Sequence, residues 1–289
     1  MAQRRPQEAR ILRFAVDLHV HSILSDGDLH PFAIVRMAHE AGVRVLAIAD
    51  HETVGAFHLD SGRIESLARE LDITLLPAIE IDAELRGHEI HVLGHGVDPS
   101  SPPLLDHCRR VQALRRRRTE EELAQVNAQL NGVLRPEEVF VPPRETFMRP
   151  NLIQPLLDRG VFPTYESAAR WFREQIRPTT TLARLSVPEA IALIHAAGGR
   201  AAIAHPAYGI REGWFDPERD LRAFAAAGLD AVETDYPYAA CSPHLFDATA
   251  EQAVIARLRA VAADLGLGET SGSDSHRHAD FLARWALAR

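Results

Sequence analysis

Asp17-Leu18-His19-Val20-His21-Ser22 closes an apolar run that starts at Phe14, and the reading of this stretch decides the fold. Residues two apart on an extended strand share a face, so His19 and His21 aim at one point. The same shape recurs along the chain, with short apolar runs ending at Asp50-His51, Glu80, His91, His205 and Asp274-Ser275-His276. Imidazole and carboxylate together suit zinc, manganese or iron, and neither Cys108 nor Cys241 lies among these residues to favour a thiolate site. The expectation is a multinuclear metal site, and a hydrolase is the first functional reading.

Working outward, strands are expected at 14–20, 43–49, 73–81, 89–94, 200–204 and 229–234, with a last one ending near Ser271. Amphipathic helices are expected at 31–41, 57–70 and 190–197, the last opened by the Ser186-Val187-Pro188-Glu189 cap and stopped by Gly198-Gly199. That makes an α/β repeat of seven strands, each ending at or beside a polar candidate. In α/β barrels the working residues sit at the carboxyl ends of the strands, so one active-site face would collect them. The βα rhythm stops between about Ser101 and Ala183, where Pro102, Pro103, Pro136, Pro142, Pro143 and Pro178 punctuate helical segments. Residues 1–100 and 184–289 are therefore expected to form the barrel, and 101–183 a helical insertion covering its loop side.

Composition narrows the chemistry. All 32 basic residues are arginine, which excludes a Schiff base and a lysine-dependent P-loop and leaves guanidinium as the phosphate clamp. A formal charge of −8 is not the footprint of a duplex-DNA-binding surface. Two cysteines do not make a disulfide scaffold, and no run has the length of a membrane span, so no membrane partner and a cytoplasmic location are expected. The run Arg115-Arg116-Arg117-Arg118, followed by Glu120-Glu121-Glu122, reads as i to i+4 pairing on a solvated helix face.

Taken together, these motifs resemble the PHP family, named for polymerase and histidinol phosphatase. The matching pieces are Asp17-Leu18-His19-Val20-His21-Ser22 with Ser25-Asp26-Gly27, Ile48-Ala49-Asp50-His51, Pro77-Ala78-Ile79-Glu80, His88-Glu89-Ile90-His91-Val92-Leu93-Gly94, Ala204-His205-Pro206 and Gly272-Ser273-Asp274-Ser275-His276. The resemblance implies a distorted seven-stranded (β/α)7 barrel holding two to three divalent ions, Mn2+ first, with Zn2+ or Fe2+ as other options. It implies one ion on His19, His21, Glu80 and Asp274, a second on Glu80, His91 and His205, and a third on Asp26, His51 and His276. Glu80 then bridges two ions, and Glu80 and Asp274 serve catalysis by holding the hydroxide nucleophile.

The helical segment, with Phe147-Met148-Arg149-Pro150-Asn151 and Arg159-Gly160-Val161, resembles the branch of nucleotide 3′,5′-bisphosphate phosphatases and 5′-3′ exoribonucleases. The implied substrate is a 3′,5′-bisphosphorylated nucleotide or short 5′-phosphorylated RNA. Arg149 and His95 are the expected substrate contacts, and Asp17 and Asp50 are candidates for orienting neighbouring imidazoles. The alternatives are a small-metabolite phosphomonoesterase of the histidinol-phosphate type, a non-phosphate metallohydrolase, and a non-catalytic regulatory module, which would be marked by missing ligands.

Overall fold

A computed structural model describes residues 15–285; the expected strand start at Phe14 and the N-terminal residues Met1 to Arg5 lie outside them. The first half of the barrel runs β1 (Val16–Val20), α1 (Pro31–Ala41), β2 (Val45–Ile48), α2 (Arg63–Glu70), β3 (Thr74–Leu85) and β4 (His88–His95). Helix α1 starts where Pro31 takes the first turn and the His30 side chain accepts from the Phe32 N–H, and stops at Gly42 with φ 82°. It buries Ile34, Val35 and Ala38, a spacing that gives one face. Helix α2 begins at Arg63, later than the expected residue 57. Asp60 and Ser61 adopt left-handed φ of 48° and 56°, which breaks the preceding residues into two 3-10 turns.

The sheet order is β1-β2-β3-β4-β6-β7-β8, a path of seven strands as expected, with the two-residue β5 (Leu185–Ser186) added beside β3. Strand β6 is Arg200–Ile203, β7 is Ala231–Asp235 and β8 is Gly268–Ser271. The purely parallel repeat needs one correction, because β4 runs antiparallel to both β3 and β6. Only two residues, Arg86 at φ 53° and Gly87 at φ 82°, connect β3 to β4. Two successive positive φ values define the hairpin turn that matches strand twist, and Gly87 adopts its value at no steric cost. The sheet closes where the His21 N–H donates to the Ser275 carbonyl and the Asp274 N–H to the His19 carbonyl, at 3.0 and 2.8 Å. Mixed direction and irregular closure make this the distorted barrel of PHP type.

Alternation along the strands assigns two faces. Leu46 and Ile48 of β2 pack outward with Ile34, Ile64 and Phe281, while Ala47 and Ala49 point inward with Ala78, Leu93, Ala202 and Ala204. Full burial of each outward aliphatic side chain is worth roughly 1.5–3 kcal/mol. The small inward residues leave space at the carboxyl ends of the strands for bulky polar side chains. On the other flank, α7 (Val187–Ala196), α9 (Pro217–Ala226) and α11 (Ala248–Leu265) cover β4, β6 and β7 through Ile194, Phe224 and Leu258, while the short α8 (Ala207–Glu212) and α10 (Tyr238–Cys241) fill strand-to-helix connections.

Between β4 and β5 lie α3 (Pro102–Gln129), α4 (Pro136–Val139), α5 (Pro150–Asp158) and α6 (Tyr165–Gln175). They share an apolar cluster of their own around Val126, Leu152, Leu156 and Phe172. The arginine run lies on α3. Arg116, Arg117 and Arg118 pair with Glu120, Glu121 and Glu122 as expected, but Arg115 is only 6% exposed and forms an ion pair with Asp82 of β3. The solvated-face reading of the run therefore fails at its first residue, because a buried strand carboxylate supplies the counter-charge that makes burying Arg115 tolerable.

Candidate metal centre

The nine expected ligands converge at the carboxyl end of the barrel. His19 and His21 come from β1 and the residue after it, Asp26 from the following loop, and His51 from beyond β2. Glu80 lies on β3, His91 on β4, His205 follows β6, and Asp274 and His276 follow β8. His205 and Asp274 both have positive φ, 29° and 51°, a left-handed backbone that costs roughly 1–3 kcal/mol each and aims the side chains inward.

Four of the six imidazoles are held by a partner that decides which nitrogen is free. Glu233 is wholly buried, with Oε1 3.1 Å from His19 Nδ1. A carboxylate only accepts, so His19 Nδ1 carries the proton and Nε2 is left as a donor atom for a cation. Asp82 does the same for His51 (Nδ1 to Oδ1, 2.9 Å), and the Asp274 carbonyl for His276 Nδ1 (2.9 Å). Glu89 takes His91 Nε2 at 3.2 Å, which leaves His91 Nδ1 facing Glu80 at 2.9 Å.

The freed atoms crowd together. His19 Nε2 lies 3.1 Å from His21 Nε2 and 3.3 Å from Glu80 Oε2; His21 Nε2 is 3.1 Å from Asp274 Oδ1. His51 Nε2 and His205 Nε2 each lie 3.3 Å from a Glu80 oxygen, and His276 Nε2 is 3.4 Å from Asp26 Oδ1. His21 Nδ1 is buried without a hydrogen-bond partner. Lone pairs packed this way repel unless protons or metal cations sit between them. Their spacing is near the edge of about 3 Å expected for ligands on bonds of about 2.1 Å, and the donor set is nitrogen and oxygen only, so the residues fit divalent ions. Atom proximity groups His19 with His21 and Glu80, His21 with Asp26, His51 and His276, His19 with His205 and Asp274, and His51 with Glu80 and His91. The second of these contains the implied third-ion set; His51 also groups with Glu80 and His91, and His205 groups with His19 and Asp274 where the implied sharing has Glu80 and His91.

Electrostatics points the same way. Burial disfavours charge on Glu80, Asp26 and Asp274, yet the imidazoles around them hold all three below the usual carboxylate range. Burial also opposes protonation of His19 and His91, but the facing carboxylates, Glu80 foremost, raise both well above an ordinary histidine. This pocket of carboxylates favours positive charge.

The other expected residues are placed differently. Asp50 accepts from the Ser22 N–H, Ser22 Oγ and Ser25 Oγ, and Asp17 from the Ser273 N–H and Trp285 Nε1. Both staple loops and neither orients an imidazole. His95 donates Nε2–H to the Leu18 carbonyl at 2.8 Å and is 8% exposed. Arg149 is turned to Glu122, Nε to Oε1 at 3.1 Å. A cavity of about 960 Å³ opens over the centre, floored by Asp26, His51, Glu80, His91, His205, Asp274 and His276. Its other lining includes Arg144, Arg277, Arg284, Tyr165 and Tyr208; His95 and Arg149 are not part of it.

Sequence reasoning missed Asp82, Glu89, Glu233 and Arg115. Asp82 carried a signal, being two residues from Glu80 on one strand and so on its face. Glu233 also carried one, as an acid near the end of a strand.

No family model matches the chain. The 5′-3′ exoribonuclease Rnm of Escherichia coli strain K12 is 30% identical over 274 residues, covering 90% of this chain and 85% of that protein. The 3′,5′-nucleoside bisphosphate phosphatase of Chromobacterium violaceum is 27% identical over 90% of this chain and 87% of its own. A solved metal-dependent phosphoesterase from Bifidobacterium adolescentis shares the fold with a TM-score of 0.70 at 24% identity, covering 93% of this chain and 95% of that one. With all nine expected residues converging on a distorted barrel and these relatives covering nine-tenths of the chain, the chain belongs to the PHP family of metal-dependent phosphoesterases and is a hydrolase.

Proposed function

We propose that this phosphoesterase hydrolyses the 3′-phosphate of a 3′,5′-bisphosphorylated nucleotide, giving an AMP-type product, and acts on short 5′-phosphorylated RNA. The observation that carries the reading is the cavity, whose floor is seven of the nine clustered residues and whose walls include Arg277 beside Arg144 and Arg284, the last two bonded to backbone carbonyls. A substrate with two phosphates needs one at the hydrolytic floor and a cationic contact for the other, and guanidinium binds phosphate in bidentate fashion. The names of the two sequence relatives point to the same substrate class.

Two or three divalent ions, Mn2+ first, would supply an activated water and neutralise phosphate oxygens. In this assignment His19, His21, Glu80 and Asp274 hold one ion, Glu80, His91 and His205 a second, and Asp26, His51 and His276 a third. The chain's own residues orient the set. Tyr236 donates its hydroxyl to Asp274 Oδ2 at 2.8 Å, which leaves Oδ1 turned to His21. Arg277, half-buried in the wall, is assigned the distal phosphate in place of Arg149. Residues 101–183 act as a cap over the barrel of 1–100 and 184–289, excluding water around the bound ester.

The test is inorganic phosphate release by manganese-loaded protein from adenosine 3′,5′-bisphosphate, with AMP and histidinol phosphate in parallel. Selective release from the bisphosphate is expected. Equal or faster release from histidinol phosphate would replace this reading with that of a small-metabolite phosphomonoesterase.

A further inference from the structure

The ligands are not all held from the same part of the chain. The polar partners of His19 and His205, Glu233 and Glu80, come from barrel strands. Asp26 and His51 are instead gripped by the helical segment between β4 and β5. Arg115 of α3 pairs with Asp82 Oδ2, and the other oxygen of that carboxylate accepts from His51 Nδ1. The same helix also fixes the backbone beside His51: Gln112 Nε2 donates to the Glu52 carbonyl at 2.9 Å, and His107 Nε2 lies 2.7 Å from Glu52 Oε2.

Asp26 is held from the other side. Arg144 Nε donates to the Ser25 carbonyl at 2.6 Å and Nη2 to the Gly27 carbonyl at 3.3 Å, so one guanidinium spans the residues flanking Asp26. The N–H groups of Glu145 and Thr146 both donate to the Leu24 carbonyl, and Asn151 Nδ2 to that of Ser25.

We infer that the helical segment is a structural part of the metal centre, with Arg115, through Asp82, positioning His51 and Arg144, through the carbonyls of Ser25 and Gly27, positioning Asp26, so that the Asp26–His51–His276 set binds its ion only when the segment is docked. The inference rests on reading the nine side chains as metal ligands. An isolated surface arginine would contribute little, but Arg115 is buried, and without it Asp82 keeps a buried charge whose remaining partners are His51 at 2.9 Å and, more distantly, His91 at 3.6 Å. Loss of such an orienting partner weakens metal binding roughly 10–100-fold.

Bound manganese per chain and stepwise affinities, measured by elemental analysis after equilibrium dialysis, test this on the full chain. Arg115→Met and Arg144→Met should each lose one ion of the wild-type complement, or bind the last ion about 10–100-fold more weakly. Arg115→Lys should recover part of it, and Arg117→Met, on the exposed face beside Glu121, should match wild type. In a His51→Ala background, Arg115→Met should cause no further loss, a result that a general folding defect would not give. Should Arg115→Met fail to fold, Arg144→Met carries the test. A folded Arg115→Met or Arg144→Met protein with the full complement at wild-type affinity overturns the inference; a wild-type protein that binds no divalent ion overturns the ligand reading beneath it.

Discussion

Glu233→Gln isolates what a single buried carboxylate does for the centre. Glu233 is wholly buried; Oε1 accepts from His19 Nδ1 at 3.1 Å and Oε2 from the His205 N–H at 2.9 Å. Glutamine has the same shape but one acceptor where two are needed. If its oxygen stays on His19, its NH2 meets the His205 N–H and a buried donor is left unsatisfied, costing about 1–3 kcal/mol. The melting temperature should therefore fall by several degrees, at roughly 2–4 °C per kcal/mol for a domain of this size. If the amide turns the other way, His19 must protonate Nε2 and give up the atom that faces the centre, and divalent-ion affinity falls roughly 10–100-fold. Differential scanning calorimetry of apo protein together with calorimetric manganese titration reads both effects. A variant with wild-type melting and wild-type manganese affinity would refute the claim that Glu233 sets the tautomer of His19.

Four further outcomes follow from the same geometry. Glu80→Gln should bind fewer ions and lose at least about 100-fold in phosphoesterase activity, since both Glu80 oxygens face imidazoles within 3.3 Å; elemental analysis alongside phosphate release checks it. Gly272→Ala should destabilise by roughly 1–3 kcal/mol in a denaturant melt, because the added Cβ would lie 2.3 Å from both Glu233 Oε1 and His19 Cβ, inside a packed site. Chelation should abolish turnover and lower the melting temperature, each ion at about 100 times its dissociation constant being worth about 2.7 kcal/mol, with both restored by re-addition of manganese. Arg277→Ala should keep its ions and raise KM for the bisphosphate with little change in kcat, the signature of lost uniform binding in steady-state kinetics.

The convergence of the nine side chains was legible in the sequence because its signals are local: His-X-His on a strand, acids and imidazoles at strand ends, a period of two. The strand count was legible for the same reason. The reversal of β4 was within reach, since residues 82–88 leave no room for a crossover helix between the expected strands, and Arg86-Gly87 is a turn pair. Arg115 and Arg149 were not legible. Arg116, Arg117 and Arg118 each have a glutamate four residues on while Arg115 has Thr119, but that spacing names no partner for Arg115, and only the packing of α3 against β3 brings Asp82 to it. Arg149 stands at a helix start, where a free guanidinium is reasonable, until Glu122, 27 residues upstream, meets it through the fold. Pairings of this kind depend on how elements dock, which neither spacing nor propensity encodes. No helix among the described residues is long and apolar enough to cross a membrane.

The most direct test of the central claim is the number of divalent ions per chain in protein reconstituted with manganese and stripped of excess, counted by native mass spectrometry for wild type and Glu80→Gln. The account predicts two to three ions in the wild type and fewer in the variant; a wild-type chain with no bound ion, or equal counts in both proteins, would contradict it.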